Sequence, residues 1–310
     1  VAYDPKKSAL AAQKLVNRNH VFAIAGSPGT VVNTAAFPVM FPKEVLSFMP
    51  IASARVLFEE PNMRYKFSIL STYYSQAKDW AGPLAKAKGS GKVCGIMQDD
   101  EMGQEIRKGV TDSFAEVEME PTEMTTFKRG TTDFTTQVQR VAAKGCDFVA
   151  IGAVIRETIG IMQAAERLGY EPVFFGVTPS YSELIPKLGG KAVEGLYAAY
   201  AIPIPYGDSE SEKVRDWFAK FEKDYSEEPG VYNMYGYVLM DIFSKAADMA
   251  GPDLSTDSFI DAMESIKWTS DIFADIPEMT WPADDRVGTT QTRLSQVVDG
   301  RYTRVELSDQ

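Results

Sequence analysis

Residues 24–39, "IAGSPGTVVNTAAFPV", run from an apolar segment through Gly-Ser-Pro-Gly-Thr into a helix-like segment. So small a turn leaves the first N–H groups of the helix without partners and sets a hydroxyl, Thr30, among them. Such a terminus favours a negative group, by ~0.3–1 kcal/mol from charge and dipole alone and up to ~2 kcal/mol when partly buried. The turn has no P-loop Lys, and the chain has no G-x-G-x-x-G, so nucleotide phosphate is weakly supported. The carboxylate of a small molecule fits Gly29 and Thr30; a capped helix without a ligand is the competing reading. A second polar spot follows in "MPIASAR", where Ala52 and Ser53 lie just past an apolar run. If the two preceding strands are neighbours, Thr30 and Ser53 converge; taken alone, the second segment reads as a loop.

The remaining reactive residues are few. The one histidine, His20, opens the strand-like run "HVFAIAG" and reads as a strand-edge residue. A Ser-His-Asp or Cys-His site would have to use it, and no G-x-S-x-G turn accompanies it. Asp99 and Asp100 end a strand-like run, where adjacent residues point apart, so solvation or helix capping suits them better than acid–base work. Cys94 and Cys146 are too few for a disulfide framework or a structural zinc site. Two buried thiols is the plain reading, and one disulfide is the alternative in an oxidising compartment. These features argue against an enzyme and predict no cofactor and no metal.

Composition sets the frame. The chain has 310 residues, suited to two domains, with 45% hydrophobic and 24% charged residues. A formal charge of -11 lacks the basic footprint of a nucleic-acid binder. No apolar run reaches the roughly 18 residues that span a bilayer. No signal peptide is visible, and a start at Val1 rather than Met predicts a processed or truncated product.

The elements alternate. Asp4 caps a helix with Pro5 at its first position, and "HVFAIAG" and "EVLSFMP" are strands flanking a helix that ends near Pro38. "YYSQAKDWAGPLAKAKG" is a helix that Pro83 kinks or shortens. "KVCGIMQ" is a buried strand, followed by a helix with Met102, Ile106, Val110 and Phe114 along one face. "VEMEPTEMTTF" is extended, and Asp133 caps a helix burying Phe134, Val138 and Val141. "DFVAIGAVI", "PVFFGV" and "EGLYAAYAI" are strands, and Gly169 stops the helix between the first two. Unbroken apolar strands between amphipathic helices predict an α/β, doubly wound, mostly parallel architecture. Three helices follow, around 214–225, 233–250 and 257–266, and the tail "RLSQVVDGRYTRVEL" reads as a hairpin on its Asp-Gly pair.

Several segments together carry a resemblance. "YDPKKSALAAQKLV", "VFAIAGSPGTVVNTAAFPV", "KVCGIMQDDEMGQEIRKGV", "KRGTTDFTTQVQRVAAKGCDFVAIG" and "FAKFEKDYSEEPGVYNMYGYVLMDIFSKAADMAG" resemble the periplasmic binding proteins of the leucine/isoleucine/valine type, which deliver solutes to ABC transporters. The likeness covers nearly the whole chain. It implies the type I fold: two α/β lobes joined by a three-segment hinge, with the ligand in the cleft between them. One lobe would hold 1–72 and 202–285, the other 73–201 and 286–310, with crossings near Ser71, Ile202 and Ala283. Roughly 50 residues of the family's first lobe, a strand, a helix and a further strand, have no counterpart here. Their absence would leave open apolar strand edges, so missing sequence is the expected explanation.

By position, the resemblance puts the ligand carboxylate on Thr30 beside Gly29, with further contacts from Ala52 and Ser53. The family's aromatic contact before a Gly falls on Met102, another contact falls near Ile155, and the acidic residue that pairs with an amino-acid ammonium falls on Thr178. A buried ammonium needs a carboxylate, and Thr178 offers only a hydroxyl. Tyr73, Tyr74 and Tyr181 offer aromatic walls or plain packing, and Arg156 could meet an anion or be solvated at a helix start. The expected ligand is therefore a small acid with an apolar or aromatic body rather than an α-amino acid. The resemblance also implies capture by hinge closure, a membrane permease as partner, a monomer, and a periplasmic or, in a Gram-positive source, membrane-anchored extracellular location. A ligand-sensing receptor or regulatory domain on the same fold is the alternative, ahead of an α/β enzyme.

Overall fold

The computed structural model describes residues 3–307. In chain order the elements are α1 (Pro5–Gln13), β1 (Ala23–Ala25), α2 (Thr30–Met40), β2 (Leu46–Phe48), β3 (Lys66–Phe67), α3 (Tyr73–Ala87), β4 (Val93–Gln98), α4 (Glu101–Glu116), β5 (Pro121–Phe127), α5 (Thr135–Ala143), β6 (Phe148–Gly152), α6 (Ile155–Arg167), β7 (Val173–Gly176), α7 (Leu184–Gly189), β8 (Tyr197–Tyr200), α8 (Glu212–Tyr225), α9 (Val231–Ala250), α10 (Thr256–Ser265), β9 (Arg293–Val298) and β10 (Arg301–Val305). The chain divides into two compact units, Val1–Thr72 with Ile202–Gln291, and Tyr73–Ala201 with Thr292–Gln310.

In the first unit, β1, β2 and β3 form a three-stranded parallel sheet in that order. Its strands are shorter than the apolar runs suggest, and β1 is only partly covered. Asp4 accepts from the N–H groups of Lys6 and Lys7, so the expected cap of α1 is present. Helix α2 runs through Pro38 to Met40, two residues past the expected stop. His20 is an exposed residue outside regular structure, at φ 51, rather than the first residue of a strand. Edge-to-face rings knit the sheet to the late helices: Phe48 meets Phe243 at 5.4 Å and Phe259 at 5.7 Å.

Residues 286–291 belong to this unit, so the boundary falls after 291 rather than after 285 as the resemblance implies. The cause is a set of bonds to the end of β3. Ser68 N–H donates to Arg286 O at 2.8 Å, Gly288 N–H donates to Ser68 O at 3.1 Å, and the Trp281 indole donates to Ser68 O at 2.6 Å. The Arg286 side chain, 2% exposed, lies over the Phe67 ring and pairs with Glu264 at 2.5 Å.

The second unit carries a seven-stranded sheet in the order β10-β9-β8-β7-β6-β4-β5. The strands from β8 to β5 are parallel, while β9 and β10 join antiparallel. Every residue of β4 and β6 is buried, as continuous apolar runs between two helical layers should be. The expected hairpin forms on Asp299 and Gly300, both at positive φ, as the favoured two-residue turn requires. Met102, Ile106, Val110 and Phe114 are all at most 1% exposed. Helix α3 is continuous across Pro83. It lies close against α4 because both present glycine: a Cβ on Gly82 would strike the Ser113 carbonyl oxygen, and one on Gly109 that of Tyr74. Asp133 holds the start of α5 through the Thr135 N–H at 3.0 Å, although Phe134 is the capping position. Gly169 ends α6 at φ 61, as expected.

The two cysteines are a disulfide, not two thiols. Cys94 lies in β4 and Cys146 just before β6, its neighbour in the sheet, with Cα atoms 6.0 Å apart. Both are buried, and the Tyr170 hydroxyl donates to the Cys146 carbonyl at 2.5 Å.

Candidate functional site

In open parallel sheets, ligands bind beyond the carboxyl ends of the strands. In the first unit that edge is made by the turns after β1 and β2. They are tied together: Pro28 bridges Ile51, Gly29 N–H donates to Ile51 O at 3.2 Å, and Ile51 N–H donates to Ser27 O at 3.1 Å. Asn33 braces the turn from within α2, donating to Ser27 O at 3.0 Å and Gly29 O at 2.8 Å. Gly29 stands at φ 95, where a side chain would be strained, and a Cβ there would run into the Tyr3 ring.

This bracing leaves two side chains unspent. The Thr30 hydroxyl opens α2 with its residue 1% exposed, and the Ser53 hydroxyl is on a residue 0% exposed. Neither oxygen has a hydrogen-bond partner. Buried polar groups are nearly always bonded, so two orphans on adjoining turns, one of them at a helix N-terminus, are the candidates to meet a ligand. Ala52, fully buried, completes the second turn.

In the second unit the sequence-predicted residues lie past adjacent strands: Met102 after β4, Ile155 after β6 and Thr178 after β7. Met102 is buried on the core-facing stripe of α4, and Asp100 caps that helix by accepting from Gly103 N–H at 3.0 Å. Ile155 starts α6 partly covered. Thr178 is not open for a ligand in this arrangement, because its N–H and hydroxyl both donate to Gln76 Oε1, at 2.8 and 2.5 Å. Arg156 is exposed and donates to Glu157 Oε1 at 2.7 Å.

The tyrosines divide. Tyr73 is 5% exposed at the start of α3. Tyr74 donates to Asp112 Oδ2 at 2.7 Å, a bond that pushes its phenol pKa up, while Asp112, bonded by Lys108 and Tyr74, is held below the usual carboxylate range. Tyr181 stacks on Tyr200 with ring centroids 4.4 Å apart and leans on Tyr302. Tyr74 and Tyr181 are thus packed within their own unit.

Among the buried polar residues that the sequence does not single out are Gln76, Gln98 and Glu157. Gln98 had a signal, a polar residue closing the apolar run "KVCGIMQ". Gln76 and Glu157 had none, since both look like ordinary helix residues until the neighbouring strands are placed. A separate cavity of about 690 Å³ on the first unit, lined by Trp217, Phe221, Tyr237 and Met240, includes none of the sequence-predicted residues. Among the described residues, no three His, Cys, Asp or Glu gather as a metal site, and no helix is long and apolar enough to cross a membrane.

Solved structures share this architecture over almost the whole chain. A possible leucine/isoleucine/valine-binding protein from Rhodopirellula baltica is 16% identical, with a TM-score of 0.86 over 99% of this chain and 83% of its own. A branched-chain amino acid ABC transporter protein from Thermus thermophilus with bound valine is 18% identical, with a TM-score of 0.86 over 98% of this chain and 82% of its own. An ABC transporter solute-binding protein from R. palustris in complex with benzoate is 15% identical, with a TM-score of 0.85 over 97% of this chain and 81% of its own. At such identities the likeness establishes the type I periplasmic binding protein fold. No curated protein matches the sequence. The sequence itself matches the family described as periplasmic binding protein over residues 1–301, and the chain belongs to that family of solute-binding proteins.

Proposed function

We propose that the protein is the extracytoplasmic solute-capturing component of an ABC importer, that it binds a small organic acid, and that it performs no chemistry on it. The carboxylate sits at the start of α2, held by the hydroxyls of Thr30 and Ser53 and by the N–H groups that open the helix. When the hinge closes, Met102 in α4 and Ile155 at the start of α6 contact the rest of the ligand, and Thr178 joins them only by releasing Gln76. The closed form is what a membrane permease reads, and the protein acts as a monomer in the periplasm.

The observation that carries this reading is the pair of buried, unpartnered hydroxyls on two turns that are bonded to each other. Valine and benzoate, held by the two relatives above, share a carboxylate and little else, which fits a common anchor and a variable body. Calorimetry with a panel of aliphatic, aromatic and amino acids tests it. Binding that requires the carboxylate and weakens in Thr30→Val supports the proposal; equal binding of the matching amides overturns it.

A further inference from the structure

Four buried polar atoms without partners lie at the carboxyl end of a parallel strand. Thr30 follows the end of β1 by five residues, Ser53 the end of β2 by five, Glu157 the end of β6 by five, and Gln98 is the last residue of β4. The two in the first unit are hydroxyls, which donate or accept. The two in the second unit are acceptors only: the Gln98 carbonyl oxygen and one oxygen of the Glu157 carboxylate.

The local bonding fixes both. Gln98 gives its amide N–H to Asp100 Oδ2, so its bare atom is the carbonyl. Asp100 is itself tied to the start of α4. Glu157 accepts from Arg156 through Oε1, while Oε2 meets no donor on a residue 4% exposed. Strands β4 and β6 are neighbours in register, Met97 opposite Gly152, so Gln98 and the helix start that carries Glu157 belong to one edge. One carboxylate oxygen and one amide oxygen left bare at one edge call for a donor from outside the chain.

We infer that Gln98 and Glu157 read a hydrogen-bond donor on the ligand, so that the captured acid carries a second, donating group, an ammonium or a hydroxyl. This rests on the reading of Thr30 and Ser53 as carboxylate anchors, and it reverses one expectation. The sequence left an ammonium without a carboxylate because Thr178 stands at the family's acidic position. Glu157 supplies that carboxylate from the first turn of α6, and the Thr178 hydroxyl is spent on Gln76.

Matched ligand pairs test the inference by calorimetry: leucine against 4-methylpentanoate for the ammonium, and 4-hydroxybenzoate against benzoate for the hydroxyl. The donor-bearing member of one pair is expected to bind at least about tenfold tighter, because a site with bare acceptors penalises the ligand that lacks the donor. In Glu157→Leu that preference collapses, and the donor-lacking acid gains affinity because the bare acceptor that penalised it is gone. Glu157→Gln, which keeps an uncharged acceptor, loses a preference for the ammonium but keeps one for the hydroxyl. Circular dichroism melting checks that both variants fold. If the acids bind but neither donor helps, or if Glu157→Leu and Gln98→Leu both leave the preference intact, the inference fails and the carboxylate anchor stands. If none of the four ligands binds the wild type, the anchor fails and the inference with it.

Discussion

The two units solve the same packing problem differently. The second builds a wide sheet whose central strands are fully buried, closes one side with an antiparallel hairpin, and pins β4 to the segment before β6 with a disulfide. The first builds on three strands of two or three residues each, and its helix α8 has no buried residue. It makes up the difference with polar and ionic burial: Arg286 against Glu264, the Trp281 indole on Ser68, and the Lys66 ammonium under Phe37 and Phe41. Apolar strands need only neighbours, whereas buried charges need particular partners. Substitutions should therefore act by different rules in the two halves.

The sharpest contrast is expected from the disulfide. Its sequence separation of 52 corresponds, in the chain-entropy account, to about 4 kcal/mol of stabilisation. The pair Cys94→Ala and Cys146→Ala should lower hydrogen-exchange protection in β4, β6 and β7 by that order and leave β1 to β3 unchanged. Equal loss in both units would mean that they unfold as one body.

Arg286→Met asks the converse question. The change leaves Glu264 without its partner and frees the Trp281 and Pro282 carbonyls that the guanidinium holds. Removing one partner of a fully buried pair costs ~3–5 kcal/mol; because the Glu264 side chain is 28% exposed and can rehydrate, about 2–3 kcal/mol is expected. Segment-resolved exchange should place that loss on β3 and residues 286–291, with the second unit intact.

The sequence made the second unit far more legible than the first, and for the same reason. Long apolar runs and the one-faced stripe from Met102 to Phe114 announce a covered parallel sheet. The Asp-Gly turn announces its hairpin, and the Asp4 cap needs only local residues. What stayed hidden depends on which strands become neighbours. The disulfide could not be read until β4 and β6 were adjacent, nor Gln76 with Thr178 until α3 met the loop after β7. Residues 286–291 fall to the second lobe by the resemblance and become part of the first unit only through bonds to Ser68. In the candidate site the turn chemistry of Gly29 and Thr30 was visible, and the condition set for Ser53, that β1 pair with β2, is met. The bare acceptors of Gln98 and Glu157 had to wait for three dimensions, because an orphaned atom is defined by what fails to surround it.

Thr30→Val separates binding from stability. The isosteric change deletes a buried hydroxyl that bonds to nothing, so folding stability should stay level or rise by up to about 1 kcal/mol. Affinity for an organic acid should fall by about tenfold to a hundredfold, the worth of a hydrogen bond to a charged group. A loss of stability equal to the loss of affinity would make Thr30 a structural cap rather than an anchor.

The smallest effect belongs to Lys66 of the first unit. Its ammonium donates to the Glu59 carbonyl at 2.6 Å and lies 5.2 and 5.6 Å from the Phe37 and Phe41 ring centroids, on a residue 2% exposed. Burial pulls its pKa below the ordinary 10.5, against the opposing pull of Glu60 and Glu59. Below the depressed value, folded and unfolded chains are both protonated, and folding bears the whole desolvation cost. Between that value and 10.5 the unfolded chain binds more protons, so this site's contribution to stability rises with pH. Lys66→Met keeps the stem, removes the charge and should leave stability near neutral pH unchanged or higher by about 1 kcal/mol. The variant's advantage should shrink as pH climbs toward 10, because the wild type sheds its penalty there and the variant has none to shed. Urea midpoints of both proteins across that range measure the difference. An advantage that stays flat with pH would mean that the rings and the Glu59 carbonyl already compensate the charge, and that the first unit carries its buried ions at no cost.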